Sequence, residues 1–316
     1  MCAIIKICPR VGLLVPCLLF AIFIGCLDRK GESPTVLTEN TGKIDEYVHA
    51  DKGLAQENTG EEINTAKKNN DAPPESNFPS FLSDVLANAK LPQSISLRIQ
   101  ESIAVDSAFI QAVYIILQED PYLWILIDKE HSFPENYEPD DLVKLANGSY
   151  RVSRDGLFLR SAAVASLEEM AAAARSEKLT LTVSSTYRPY SYQVNVYNRK
   201  VREAGQQAAD RVSARPGHSQ HQLGLTIDFG SITNAFARTA EGRWIAANAS
   251  RFGWSLSYPQ GYEEITGYSW ESWHYRYTGK ELAKFIDTYF EGIQQYALRF
   301  LHEWKQANAE SPSSGI

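Results

Sequence analysis

Beyond residue 26 the chain has no cysteine: all four, Cys2, Cys8, Cys17 and Cys26, lie in the first 26 of 316 residues. No disulfide or thiolate metal site can form downstream, so any metal held there must use His, Asp or Glu. Clustered positive charge is lacking too. Asp and Glu number 38 against 31 Lys and Arg, a net charge of -7 with no basic stripe, which excludes nucleic acid as a partner because phosphate binding needs grouped Lys and Arg. The apolar run Val11 to Ile24, about 14 residues, falls short of the roughly 20 needed to span a bilayer. There is no internal repeat and no regular βαβ rhythm, which favours an α+β arrangement over a doubly wound sheet.

What is present begins with Lys6 and Arg10 ahead of that apolar run, which ends at Gly25 and Cys26, the layout of a secretory signal over residues 1–26. Phe23-Ile24-Gly25-Cys26 resembles the lipobox of bacterial lipoproteins, with Phe where Leu is usual. Cys26 is therefore a candidate lipidation site, which would anchor the chain to the membrane on the outer side of a bacterial envelope. Residues 27–77 are rich in acidic residues, Asn, Thr, Gly, Ser and Pro. Such a stretch buries too little apolar surface to offset its ordering entropy and is expected to be a flexible tether.

Order is expected from Phe78. Phe81, Leu82, Val85 and Leu86, then Phe109, Val113 and Ile116, recur at helical spacing and predict a helical region over 78–120. A catalytic domain is expected over 121–307, with a disordered tail at 308–316. Within it the apolar run Tyr122 to Ile127 reads as a buried strand, Ser161 to Ser176 as an Ala-rich helix, and Thr180 to Val183 as a strand. Helices are expected from Ser191 to about Ala204 and from about Lys280 to Gln306, the latter broken at Gly292.

The chemistry concentrates in two segments. In Pro216-Gly217-His218-Ser219-Gln220-His221-Gln222-Leu223-Gly224-Leu225-Thr226-Ile227-Asp228, alternation of Leu225, Ile227 and Phe229 with Thr226 and Asp228 predicts a strand presenting Asp228 on its polar face. Gly224 permits a tight turn bringing His221 back toward that carboxylate. The aromatic run Trp270 to Tyr277 alternates as a strand would, with His274 opposite Trp273 and Tyr275. Two imidazoles and a carboxylate with an open fourth position are what catalytic zinc requires. A bound water would need a base, and Glu271 reaches it only if the chain bends between Glu271 and His274, since an offset of three on a strand points side chains oppositely. Each residue alone has an ordinary structural explanation, and His218 rivals His221.

These motifs resemble the VanY-type D-alanyl-D-alanine carboxypeptidases, members of the zinc peptidase family that includes VanX dipeptidases and the Hedgehog-like fold. The family pattern Ser-x-His-x-x-Gly-x-(Ala/Thr)-x-Asp is met by Ser219, His221, Gly224, Thr226 and Asp228, Glu-x-x-His by Glu271 and His274, and Ser-x-x-x-Arg with a later Gln by Ser184, Arg188 and Gln193. The resemblance runs roughly from Leu123 to Thr278. It implies one zinc ion per chain on His221, Asp228 and His274, with Glu271 as general base and later acid. It further implies Arg188 at the oxyanion, and Gln193, Ser219 and Ser184 as substrate contacts. The implied fold is α+β, a small antiparallel sheet flanked by helices, and the implied substrates are peptidoglycan stem peptides that lose a terminal D-alanine. L,D-carboxypeptidase, endopeptidase and D,D-dipeptidase activities are the rivals within that class, and a binding module with a structural metal or a tethered scaffold the rivals outside it. Pro189, where a small polar residue is frequent, and the helices before about Asp120 depart from the pattern.

Overall fold

The computed structural model describes residues 78–310. The expected signal segment, Cys26 and the expected tether lie outside the described residues.

Three helices open the described chain: α1 (Phe78–Asn88), α2 (Gln93–Val105) and α3 (Ala108–Gln118), followed by the single turn α4 (Pro121–Trp124). Next come β1 (Leu142–Lys144), β2 (Arg151–Val152), β3 (Phe158–Arg160), α5 (Ser161–Ser176) and β4 (Thr182–Ser185). The helices α6 (Tyr190–Ala204) and α7 (Gln206–Val212) lead to β5 (Thr226–Phe229), α8 (Ala240–Asn248), β6 (Trp254–Leu256), α9 (Glu263–Thr266) and β7 (His274–Tyr277). Two helices end it, α10 (Lys280–Tyr289) and α11 (Gln294–Glu310). Strands β1 and β3 pair on their own, and the central five-stranded sheet has the order β2-β4-β5-β7-β6. The fold is α+β, and the central sheet is antiparallel except where β2 runs parallel to β4.

Side-chain alternation gives that sheet two different faces. Val183, Ile227, Phe229, Trp254 and Tyr275 point into a core closed by Leu167, Met170 and Ala171 of α5 and by Trp244, Ile245 and Phe252. The opposite face carries Thr226, Asp228, His274 and Arg276, all buried. A second core joins the two ends of the described chain: Phe81, Val85, Phe109 and Ile116 pack with Phe285, Phe290, Phe300 and Trp304. Phe81 meets Trp304 edge-on at 4.9 Å, and Phe109 lies 5.2 Å from Phe285. This core includes Trp124 and Leu126 and so crosses the boundary expected at residue 120.

Several expected elements are corrected. Tyr122 to Ile127 is not a strand. Pro121 opens a helical turn, the Asp120 carboxylate caps it by accepting from the Tyr122 N–H at 2.9 Å, and the carbonyls of Tyr122, Leu123 and Ile125 all accept from Nη2 of Arg276 at 2.9–3.1 Å. A buried guanidinium has taken the acceptors a neighbouring strand would have used. The strand expected from Trp270 starts only at His274, after a turn at Ser272–Trp273. The expected break near Gly292 is a full interruption, with Glu291 and Gly292 at φ 57° and 75°. Helix α11 runs through Glu310, past the start of the tail expected at 308, with Ala307 packed on the second core.

Candidate active site

Asp228 is placed by register. It lies opposite His274 on β7 and opposite Ser185 on β4, where a bulge between Val183 and Ser185 turns the strand so that Ser185 faces Asp228. Without the extra residue Ser185 would not sit in that row. His221 arrives from a 3-10 turn, Gln220–Leu223, that Gly224 ends at φ 71°, a left-handed conformation. A Cβ on Gly224 would stand 3.0 Å from Arg160 Cγ and Leu142 Cδ2. The turn is tied back to the strand by Thr226 Oγ1 donating to the Gln220 carbonyl at 3.0 Å.

The three side chains converge. His221 Nε2 lies 3.3 Å from Asp228 Oδ2, and His274 Nδ1 lies 3.2 Å from Asp228 Oδ1. One donor atom from each residue falls within 4.8 Å of the others. All three are about 4% exposed, so these are charges and dipoles held away from water. The histidines offer opposite nitrogens. His221 Nδ1 stands 2.7 Å from the Thr186 carbonyl, which only accepts, so Nδ1 carries the proton and Nε2 presents its lone pair to the site. Asp228 Oδ1 is buried without a hydrogen bond. An unpaired carboxylate oxygen beside His274 Nδ1, with His221 Nε2 at the other oxygen of the same carboxylate, fits a cation held by two nitrogens and one oxygen.

The electrostatics suit a cation at His221 and Asp228, whereas His274 must give up a proton to ligate one. Burial lowers the His221 pKa to about 4, keeping the ring neutral as a ligand must be. Burial alone would raise Asp228, but His221 and His274 hold it well below the usual carboxylate range. Burial would likewise depress His274, yet its contacts with Asp228 and Glu271 lift it to about 9.

Glu271 Oε2 stands 3.3 Å from His274 Nδ1. The expected bend is there: the His274 N–H bonds the Glu271 carbonyl at 3.3 Å, closing a turn just before the strand. Asn234 holds that turn, its Oδ1 accepting from the Ser272 N–H at 3.1 Å and its Nδ2 donating to the Trp270 carbonyl at 3.0 Å. Burial raises the Glu271 carboxyl above its ordinary value, which suits a group that takes and returns a proton.

Arg188 donates from Nη1 to Gln193 Oε1 at 2.6 Å and from Nη2 to Ser185 Oγ at 3.2 Å. The three expected substrate contacts all have partners within the protein. Gln193 is 1% exposed and its Nε2 donates to the Ala214 carbonyl at 2.6 Å, so it braces Arg188 from behind. Ser219 is 3% exposed and caps the turn, its Oγ accepting from the His221 N–H at 3.3 Å. Ser184 Oγ donates to the Gly230 carbonyl at 2.6 Å. The hydroxyl at the guanidinium is that of Ser185, one residue on, because the bulge reverses the alternation that motif spacing presumes. His218 stays out of the cluster, its Nδ1 2.8 Å from the Asp128 carbonyl.

Residues 156–280 match the family model of VanY, D-alanyl-D-alanine carboxypeptidase. The chain is 35% identical over 193 residues to YodJ of Bacillus subtilis (strain 168), covering 57% of this chain and 71% of that protein. It belongs to the VanY family. A D-alanyl-D-alanine carboxypeptidase of Enterococcus faecalis (strain ATCC 700802 / V583) is 32% identical over 187 residues, 56% of this chain and 66% of that one. Among solved structures, the LdcB LD-carboxypeptidase is 34% identical with a TM-score of 0.50, covering 55% of this chain and 89% of that one. The VanY match takes in His221, Asp228, His274, Glu271 and Arg188, and it ends before α11.

Proposed function

We propose that this VanY-family carboxypeptidase is zinc-dependent and removes the terminal D-alanine from peptidoglycan stem peptides. The observation that carries the reading is the convergence of His221, Asp228 and His274 with Glu271 beside them. Two imidazoles and one carboxylate suit zinc, and a fourth position open to water is the mark of a catalytic rather than a structural site. When bound, zinc supplies a Lewis-acid charge and brings the pKa of water toward about 7.

The chain's own groups do the rest. Glu271 takes the proton of the attacking water and returns it to the leaving amine of D-alanine. Arg188, braced by Gln193 and Ser185, donates to the scissile carbonyl oxygen as it becomes anionic. A binding module with a closed structural metal would need neither group. The likeness to the LD-carboxypeptidase LdcB favours one second reading, release of D-alanine from a tetrapeptide instead of a pentapeptide. We also propose that Cys26 is lipidated and anchors the enzyme outside the bacterial membrane; palmitate-analogue labelling that persists in Cys26→Ala would rule this out.

The test is D-alanine release from muramyl pentapeptide and tetrapeptide by the zinc-loaded chain. Release from the pentapeptide, abolished in Glu271→Gln while zinc stays bound, is expected. Release from the tetrapeptide alone favours the L,D reading, release of D-Ala-D-Ala a dipeptidase, and no release from either peptide overturns the proposal.

A further inference from the structure

His274 meets the metal site through Nδ1, so its other nitrogen must carry the proton, and what specifies that choice lies behind the ring. His274 Nε2 stands 3.4 Å from Gln220 Oε1, at the long end of hydrogen-bond reach. Gln220 Nε2 donates to Gln294 Oε1 at 3.3 Å, and Gln294 Nε2 donates to the Ser255 carbonyl at 3.3 Å. Ser257 Oγ adds a 2.7 Å donation to Gln220 Oε1. Gln220, Gln294 and Ser257 are 1–3% exposed, so water does not compete for these bonds.

The chain of bonds can run in only one direction. The Ser255 carbonyl cannot donate, so Gln294 must turn its NH2 toward it and its oxygen toward Gln220. Gln220 must then offer its own NH2 to Gln294, which leaves its oxygen for His274. A carbonyl oxygen facing Nε2 requires a proton there, and Nδ1 keeps its lone pair for the metal. Gln294 belongs to the first turn of α11, beyond residue 280 where the VanY match ends. Its neighbour Gln295 donates to Asp128 Oδ2 at 2.7 Å, and the Asp128 carbonyl faces His218 at the other end of the segment that leads to His221.

We propose that Gln220 is a positioning residue for His274, oriented by Gln294, so that the C-terminal helix is part of the scaffold that pre-sets the metal site. This rests on the metal reading above. Losing such a partner behind a ligating histidine weakens metal binding on the order of 10- to 100-fold.

The experiment measures zinc affinity of the full chain by chelator competition, with the melting temperature of the metal-free protein and kcat and KM on the stem peptide. Gln220→Ala is expected to lose zinc affinity by that factor and to lower kcat with KM little changed. Gln220→Glu keeps an acceptor for the Nε2–H but loses the donation to Gln294, so it is expected to lose less affinity than Gln220→Ala. Gln294→Ala should move in the direction of Gln220→Ala by a smaller step. A Gln220→Ala protein that melts lower but binds zinc like the wild type overturns the inference. Should Gln220→Ala not fold, wild-type zinc affinity in Gln294→Ala overturns it instead. Zinc failing to bind the wild type would overturn the metal reading itself, whereas equal binding by wild type and variant overturns only the positioning role.

Discussion

Arg188 shows how a charge is kept where it is needed. Burial penalises its guanidinium, and the acceptors that hold it, Gln193 Oε1 and Ser185 Oγ, are themselves fixed, Gln193 by the Ala214 carbonyl. Removing one preorganised oxyanion donor costs about 10²- to 10³-fold in kcat, and Arg188→Ala is expected in that range. Gln193→Ala keeps the charge but frees its direction, so a loss of roughly tenfold in kcat is expected with KM nearly unchanged. Steady-state kinetics on the stem peptide checks both; a rise in KM alone for Gln193→Ala would restore it as a substrate contact. Residue spacing pointed to His221, Asp228, Glu271 and His274, and the family resemblance added Arg188 and Gln193; the structure brings all six together around one site. The resemblance also named Ser184, whose hydroxyl donates to the Gly230 carbonyl, and gave no signal for Gln220, Ser185 and Asn234. Thr186 was beyond its reach, because a backbone carbonyl orients His221 and carries no side-chain signature.

Elements place those residues through turns that only certain backbones allow. Gly224 holds φ 71° where a Cβ would stand only 3.0 Å from Arg160 Cγ and Leu142 Cδ2, and a left-handed conformation costs roughly 1–2 kcal/mol in other residues. Gly224→Ala should lower the stability of the metal-free protein by at least that much in urea unfolding, and weaken zinc binding because the turn carries His221. Arg276 does the opposite task, occupying backbone instead of bending it. Its side chain is fully buried, with Nη2 on three carbonyls, and deprotonation is no escape for a guanidinium in a protein. Arg276→Ala strands those acceptors and opens a cavity beside them, so a loss of about 2–5 kcal/mol is expected; a loss under about 1 kcal/mol would mean water or neighbouring groups satisfy the loop. This contact also explains why the Tyr122 to Ile127 run was misread as a strand. Apolar, β-branched composition reports burial, and the partner that decided its shape lies about 150 residues away. The helix Ser161–Ser176 was legible to the residue because its high propensity and amphipathic spacing are local.

The described residues are held by two cores, and Lys129 sits beside the site between Asp210 and Tyr268. Its Nζ donates to the Asp210 carbonyl and lies 3.4 Å over the Tyr268 ring. Burial lowers its pKa from 10.5 to about 8. A lysine whose folded value is depressed binds fewer protons folded than unfolded between those two values, so stability rises with pH across roughly pH 8 to 10.5. Below pH 8 both states are charged and the burial cost is fully present. Buried tyrosines pull the other way above pH 10, since burial raises Tyr275 and Tyr268 while the unfolded chain ionises near the ordinary value. Comparing wild type with Lys129→Met cancels that contribution, because both chains carry the same tyrosines. The unfolding free energy of the wild type should therefore gain on that of Lys129→Met by roughly 2 kcal/mol between pH 7 and pH 10. Urea titrations of the two proteins at those pH values measure the difference directly. A gap that stays constant would mean that Asp210 and the Tyr268 ring hold the ammonium charged throughout, with the pKa of Lys129 close to that of the unfolded chain.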